Sequence, residues 1–199
     1  MEFKYTKNEI SIKDKTISTL DSLVIDFTDI LSNYAKYVVV SGYVAILFGR
    51  SRTSEDIDII VEKLDFNKFN KFWMEVSKKF ECINTRNVKV AFEKYLSSGT
   101  PIRFSRKNKF IPNIEFKFPK LELDYWTLSE RKKVLLNEHQ LFISPLELQI
   151  PFKLFLGSEK DIEDAKHIYK VFKNKIDSAL LNEFNRKFKT INLFNRYLK

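Results

Sequence analysis

Asp56 and Asp58 flank Ile57 in the run Asp56-Ile57-Asp58-Ile59-Ile60-Val61. In an extended strand residues i and i+2 point to the same face, about 6.6 Å apart along the chain. Two carboxylates so placed repel each other unless a cation joins them, and Mg²⁺, hard and oxygen-seeking, is the natural partner in phosphate chemistry. An acidic pair at a strand end is also a common solvent-facing feature. Here the surrounding Ile57, Ile59, Ile60 and Val61 make the strand largely buried, so its polar side opens onto something other than bulk surface. Upstream, Gly42 and Gly49 are two of only four glycines. Glycine used this sparingly marks a tight turn or a close approach to a ligand. Backbone N–H groups at a helix start after Ser41-Gly42 suit phosphate, although a plain strand-to-helix turn uses the same residues. The loop Gly49-Arg50-Ser51-Arg52-Thr53-Ser54 adds two arginines, whose planar forks match phosphate oxygens in pairs. Residues 41 to 58 thus carry phosphate donors, guanidinium groups and a carboxylate pair in order.

Those side chains need a scaffold. Ile17, Leu20, Val24, Phe27, Leu31 and Tyr34 step by three and four, the stripe of an amphipathic helix. Tyr37-Val38-Val39-Val40 predicts a buried strand ending at Ser41-Gly42, and a short apolar helix follows over 43–48. The acidic pair opens the next strand. Phe66, Phe69, Trp73, Val76 and Phe80 fit another helix, while 81–99 carries no clear period. Residues 101–105 and 113–118 read as a hairpin, with Pro112 and Pro119 bracketing its second strand; 134–136 and 140–143 form another short pair. From Ser144 the pattern turns helical. Ser144 is the expected N-cap, with Pro145 first in the helix and Glu147 third. Gly157 ends that helix, and Ser158 caps the next, with Asp161 as its third residue. The stripes Ile162, Ala165, Ile168, Tyr169, Phe172 and Leu180, Phe184, Phe188, Ile191, Phe194, Leu198 complete the chain. Two units are expected: an α/β domain over 1–143 and a helical domain over 144–199.

The segment Ser-Gly-Tyr-Val-Ala-Ile-Leu-Phe-Gly-Arg-Ser-Arg-Thr-Ser-Glu-Asp-Ile-Asp resembles the nucleotidyltransferase superfamily with the polymerase-β-like fold. It looks most like the branch containing abortive-infection toxins, which place an Arg-x-Thr or Arg-Thr before the Asp-x-Asp. Ser144-Pro145-Leu146-Glu147 leading to Lys153, then Lys160-Asp161 and Asp164, is similar to the paired helices of that branch. The resemblance covers 35–62 and 140–172. It implies an α+β fold, a small mixed sheet flanked by helices and followed by a helical region. It also implies Mg²⁺-dependent transfer of a nucleotide monophosphate from an NTP to an acceptor hydroxyl, with two ions (Mn²⁺ being an alternative) about 3.5–4 Å apart. Asp56 and Asp58 would hold both ions. The third carboxylate is expected at Glu115, which would complete the metal site and act as base, although the family usually has Asp there and Lys117 is its same-face neighbour. Glu122 and Asp124 are further candidates. Ser41, where the family usually has Gly, Gly42, Arg50, Arg52, Thr53, Lys153 and Lys160 would hold the NTP. Asp161 and Asp164 read as structural, a helix-start charge and a packing-edge carboxylate.

Composition narrows the alternatives. The chain has 199 residues, 44% hydrophobic and 15% aromatic, enough for a core without disulfide or metal staples. One cysteine, Cys82, excludes an internal disulfide and a cysteine-cluster zinc site, and His139 and His167 alone exclude a multi-histidine metal site. The longest apolar run, 37–48, is interrupted by Ser41 and Gly42 and is shorter than the roughly 20 residues of a membrane span. No apolar signal stretch follows Met1, so the expected location is cytoplasmic, with no membrane partner. The net charge is +9, and the last 35 residues hold nine basic side chains against two acidic. A basic end suits a polyanion such as RNA or tRNA, and equally a solvated helix face. Three functions remain open: nucleotidyl transfer to RNA as a toxin-like enzyme with an antitoxin protein as partner, transfer to a small molecule or protein, and a degenerate nucleotide- or nucleic-acid-binding protein.

Overall fold

The computed structural model describes residues 2–6 and 9–199; Met1, from which the N-terminal reading starts, lies outside them, as do Lys7 and Asn8. The strands are β1 (Glu2–Tyr5), β2 (Glu9–Lys13), β3 (Tyr37–Val40), β4 (Asp56–Val61), β5 (Phe80–Cys82), β6 (Ile102–Arg106), β7 (Asn113–Lys117), β8 (Lys132–Leu136) and β9 (His139–Ile143). The helices are α1 (Thr19–Leu31), α2 (Gly42–Leu47), α3 (Phe66–Val76), α4 (Val88–Val90), α5 (Glu122–Ser129), α6 (Leu146–Leu156), α7 (Glu159–Phe172), α8 (Ser178–Lys187) and α9 (Ile191–Leu198). After α4 the chain continues in π-helical and 3₁₀ turns to Ser98.

The nine strands among the described residues lie in one mixed sheet, in the order β1-β2-β8-β9-β3-β4-β7-β6-β5. The expectation of a small sheet therefore needs correcting, and the physical reason is at the N-terminus. Glu9-Ile10-Ser11-Ile12-Lys13 alternates polar and apolar, and Ile10 and Ile12 are fully buried. That strand pairs in parallel with β8 and carries β1 on its outer edge. The short β8–β9 hairpin is thereby drawn into the main sheet, and β9 joins β3 through Val39 and Ile143.

In the centre, β3 runs antiparallel to β4, and β4 runs parallel to β7. Alternation splits β4 between two faces. Ile57, Ile59 and Val61 face the core, where their neighbours include Ile114 and Phe116 of β7. Helices α1 and α3 seal this side with Phe27, Phe69 and Phe72; Phe72 stacks on Phe116 with centroids 5.6 Å apart. The opposite side of β4 carries Asp58 and Ile60. There Val38, Ile60 and Leu128 make a small second cluster beneath α5. Helix α5 has little amphipathic character, its buried residues being Thr127 and Leu128, which is why periodicity did not predict it.

Helices α6 to α9 pack on one another, and α7 also packs on α2. One hydrophobic cluster contains Val24, Tyr43 and Ile57 together with Leu154, Ile168 and Phe172. Gly157 ends α6 with φ 72°, and Ser158 caps α7 by accepting from Asp161 N–H, as expected. Ser144 does not cap α6. Its N–H extends the sheet by bonding the Val39 carbonyl, its hydroxyl meets Gln149 Oε1 at 2.8 Å, and Pro145 takes the cap position. The helix over 66–80 stops at Val76, because Phe80 and Cys82 enter β5 against β6. Among the described residues no helix is long and apolar enough to cross a membrane.

Candidate active site

The register of β4 on β7 places Glu115 directly beside Asp58. Both project from the face opposite the core, and one ammonium joins them. Lys117 Nζ donates to Asp58 Oδ1 at 3.1 Å and to Glu115 Oε1 at 3.4 Å. Burial works against that ammonium, but the two carboxylates outweigh it and hold its pKa above the usual lysine value. Glu115 has a second cation. Arg103, its cross-strand partner on β6, donates from Nη2 to Oε2 at 2.8 Å. Asp56, two residues before Asp58, is exposed, and among the described residues its carboxylate has no ion-pair or hydrogen-bond partner. Of the other acidic candidates, Asp124 is committed to the start of α5, accepting from Lys120 and Leu121 N–H, and Glu122 is exposed in its first turn.

A cleft of about 450 Å³ opens beside Asp56 and Asp58. Its walls include Ser41, Gly42, Arg52, Thr53, Lys153 and Lys160. Eight of the ten residues expected to hold metal or NTP therefore converge here. Glu115 borders Asp58 without lining the cleft, and Arg50 faces a groove of about 790 Å³ on the far side of the loop. A narrower slot of about 180 Å³ adjoins the cleft at Ser41 and Asp58, running between the sheet, α5 and α6 over Ile60, Leu148 and Phe152.

The cations of the cleft are organised by Asp164, a carboxylate with no exposure at all. Arg52 grips it through Nε and Nη2, each at 3.1 Å. Arg50 pairs with it as well, and Lys153 Nζ reaches it at 3.0 Å and Asp161 at 2.5 Å. Burial alone would raise the Asp161 pKa; the Lys153 and Ser158 hydrogen bonds outweigh it and hold the carboxyl below its usual range. Three cations thus meet two carboxylates in this network, and Arg52 and Lys153 are the two of them that line the cleft. Lys160 adds another, exposed and, among the described residues, without an ion-pair partner for its side chain. Asp161 fits the helix-start role expected of it, whereas Asp164 is the centre of the charge network rather than a packing-edge residue. Its pairs with Arg52 and Arg50 span 112 and 114 positions, a relation that local spacing does not carry.

Local backbone fixes the entrance. Ser41 has φ 65° and ψ −139°, a conformation easy for glycine and costly for serine. The Arg52 guanidinium lies over Gly42, where a Cβ would come within 1.9 Å of Nη2. Cys82, the two histidines and Trp126 lie elsewhere. Cys82 is buried at the end of β5, His167 Nε2 meets the Phe48 carbonyl at 3.0 Å, His139 is exposed, and Trp126 packs on Phe184 at 4.9 Å.

By donor type Asp56 and Asp58 suit a hard divalent cation, since they supply oxygen only, while the Lys117 ammonium already engages Asp58 Oδ1 and Glu115 Oε1. Asp56 and Asp58 fit such an ion. Glu115, with both oxygens engaged, does not complete a three-residue cluster, and no group of three metal-ligating side chains is gathered among the described residues.

The fold is that of a nucleotidyltransferase-like protein. The chain is similar to an antigenic nucleotidyltransferase-like protein from Paracoccidioides brasiliensis in its crystal structure, with a TM-score of 0.53 over 89% of this chain and 90% of that one, at 14% identity. At that identity the likeness speaks for the fold alone. No protein-family model matches the sequence, and no curated protein matches it.

Proposed function

We propose that the chain is a nucleotidyltransferase that moves a nucleotide monophosphate from an NTP to an acceptor hydroxyl. One observation carries the reading: a carboxylate pair and a cationic wall, drawn from β4, the 49–55 loop, α6 and α7, line a single cleft. Lys160 supplies the unpaired charge for a triphosphate, and the network of Arg52 and Lys153 on Asp164 presents a rigid positive surface to it. Ser41 and Gly42 close the floor, the absence of a side chain at Gly42 leaving room for Arg52. Asp56 and Asp58 would hold Mg²⁺, which when bound neutralises phosphate charge and polarises the reacting phosphoryl group. In the transfer the acceptor oxygen bonds to the α-phosphorus, the bond to the bridging oxygen breaks, pyrophosphate leaves and the hydroxyl proton is released.

RNA, tRNA included, is the acceptor class favoured by the basic C-terminal segment. The resemblance of 35–62 and 140–172 to abortive-infection nucleotidyltransferases supports a toxin-like role with an antitoxin as partner. A second reading, nucleotide binding without transfer, draws on the double engagement of Glu115 by Arg103 and Lys117. Incubation with each α-labelled NTP, Mg²⁺ and total RNA separates them. Label in RNA from at least one nucleotide is expected; label confined to a small molecule or protein would remove the RNA acceptor, and binding without label would favour the second reading.

A further inference from the structure

The register of three strands builds a cation into the site. Arg103 sits opposite Glu115 across the β6–β7 pair, and Glu115 sits beside Asp58 across the β4–β7 pair. Lys117 follows Glu115 by two positions on β7, so its side chain shares that face. Its register partner on β4 is the apolar Ile60, and the ammonium reaches back to Asp58 and Glu115 instead. Both oxygens of Glu115 are thereby satisfied, Oε2 by Arg103 and Oε1 by Lys117. The Glu115 and Lys117 side chains are 14% and 33% exposed, so breaking these pairs would strand charges that water only partly reaches. Asp56 and Oδ2 of Asp58 are the carboxylate oxygens that carry no such commitment.

Resting on the nucleotidyl-transfer reading above, we infer that the site takes one divalent cation, at Asp56 and Asp58, and that the Lys117 ammonium occupies the place of a second. Glu115 is then a positioning residue: it holds Lys117 beside Asp58 and neither ligates metal nor takes a proton. The arrangement gives the cleft a fixed positive charge that cannot dissociate. It also makes the site's demand for metal half that of a three-carboxylate centre.

Counting bound Mn²⁺ by electron paramagnetic resonance on the intact chain tests this without any turnover. The wild type is expected to bind one Mn²⁺, and Lys117→Met two, because the vacated place regains Asp58 and Glu115 as ligands. Glu115→Gln, which keeps the shape of the side chain and covers the case in which Lys117→Met does not fold, is expected to bind one Mn²⁺ with affinity changed no more than a few-fold. Two ions in the wild type, one in a folded Lys117→Met, or lost binding in a folded Glu115→Gln would overturn the inference while leaving a metal-dependent transferase in place. No Mn²⁺ on any of the three proteins would overturn the metal reading itself, and the inference with it.

Discussion

Ser41 concentrates the tension of this site in one residue. Its φ of 65° with ψ −139° is held by its surroundings, including Gln149 Nε2, which donates to the Ser41 carbonyl at 2.6 Å. A non-glycine residue in such a region costs about 1–3 kcal/mol, and glycine's greater freedom when unfolded returns about 0.5–1 kcal/mol of that. Ser41→Gly is therefore expected to raise stability by about 1 kcal/mol, read from the denaturant midpoint at unchanged slope. Lower stability would mean that the serine side chain makes contacts outweighing the backbone cost. At this scale much of the candidate site was legible. The spacing of Asp56 and Asp58, the sparse glycines and the arginine loop all fall within one stretch of chain, and Ser41, Gly42, Arg52, Thr53, Asp56 and Asp58 of that stretch line the cleft. Lys117 was legible as the same-face neighbour of Glu115, but not as its partner. Its reach to Asp58 depends on the β4–β7 register, which belongs to the fold and not to either strand.

Elements meet at Asp164, where α7 is fastened to the 49–55 loop and to α6 by one buried carboxylate. Lys153 is only 3% exposed, so it depends on Asp161 and Asp164 for compensation. Removing one partner of a buried network leaves uncompensated charge, at a cost of about 3–5 kcal/mol. Asp164→Ala is expected to lose stability on that scale in chemical denaturation, and a loss below about 1 kcal/mol, the usual worth of a surface pair, would contradict the account. Most elements were legible because each has its own period: the three-and-four steps of α1 and α7, the β-branched run of β3, the glycine stop of α6. The misses share a cause. Helix α5 has no apolar stripe of its own, and 81–99 folds as short π and 3₁₀ turns that no single period describes. Ser144 has the chemistry of an N-cap, yet the sheet claims its N–H and Gln149 its hydroxyl.

Across the whole molecule, the sheet and the C-terminal helices share a hydrophobic cluster, and the cleft lies where their charged edges face each other. The carboxylates come from the sheet and most of the cations from the loop and helices, so neither half carries the proposed chemistry alone. The mixed α/β class and the helical end were legible from the sequence. The nine-stranded extent of the sheet was not, because β1 and β2 are short and far in sequence from β8, the strand that recruits them. The structural likeness over 89% of the chain places this arrangement among nucleotidyltransferase-like folds and leaves the chemistry to the site. The measurement that bears most directly on that chemistry is pyrophosphate release from NTP with Mg²⁺ and RNA, wild type beside Asp58→Ala. Asp58 is the residue shared by the cleft, the slot and the Lys117 ion pair. The account predicts release by the wild type and its loss, by at least about a hundredfold, in the variant, as expected when a group acting on the transition state is removed. Equal release by both proteins, or none from the wild type with any of the four nucleotides, would contradict it.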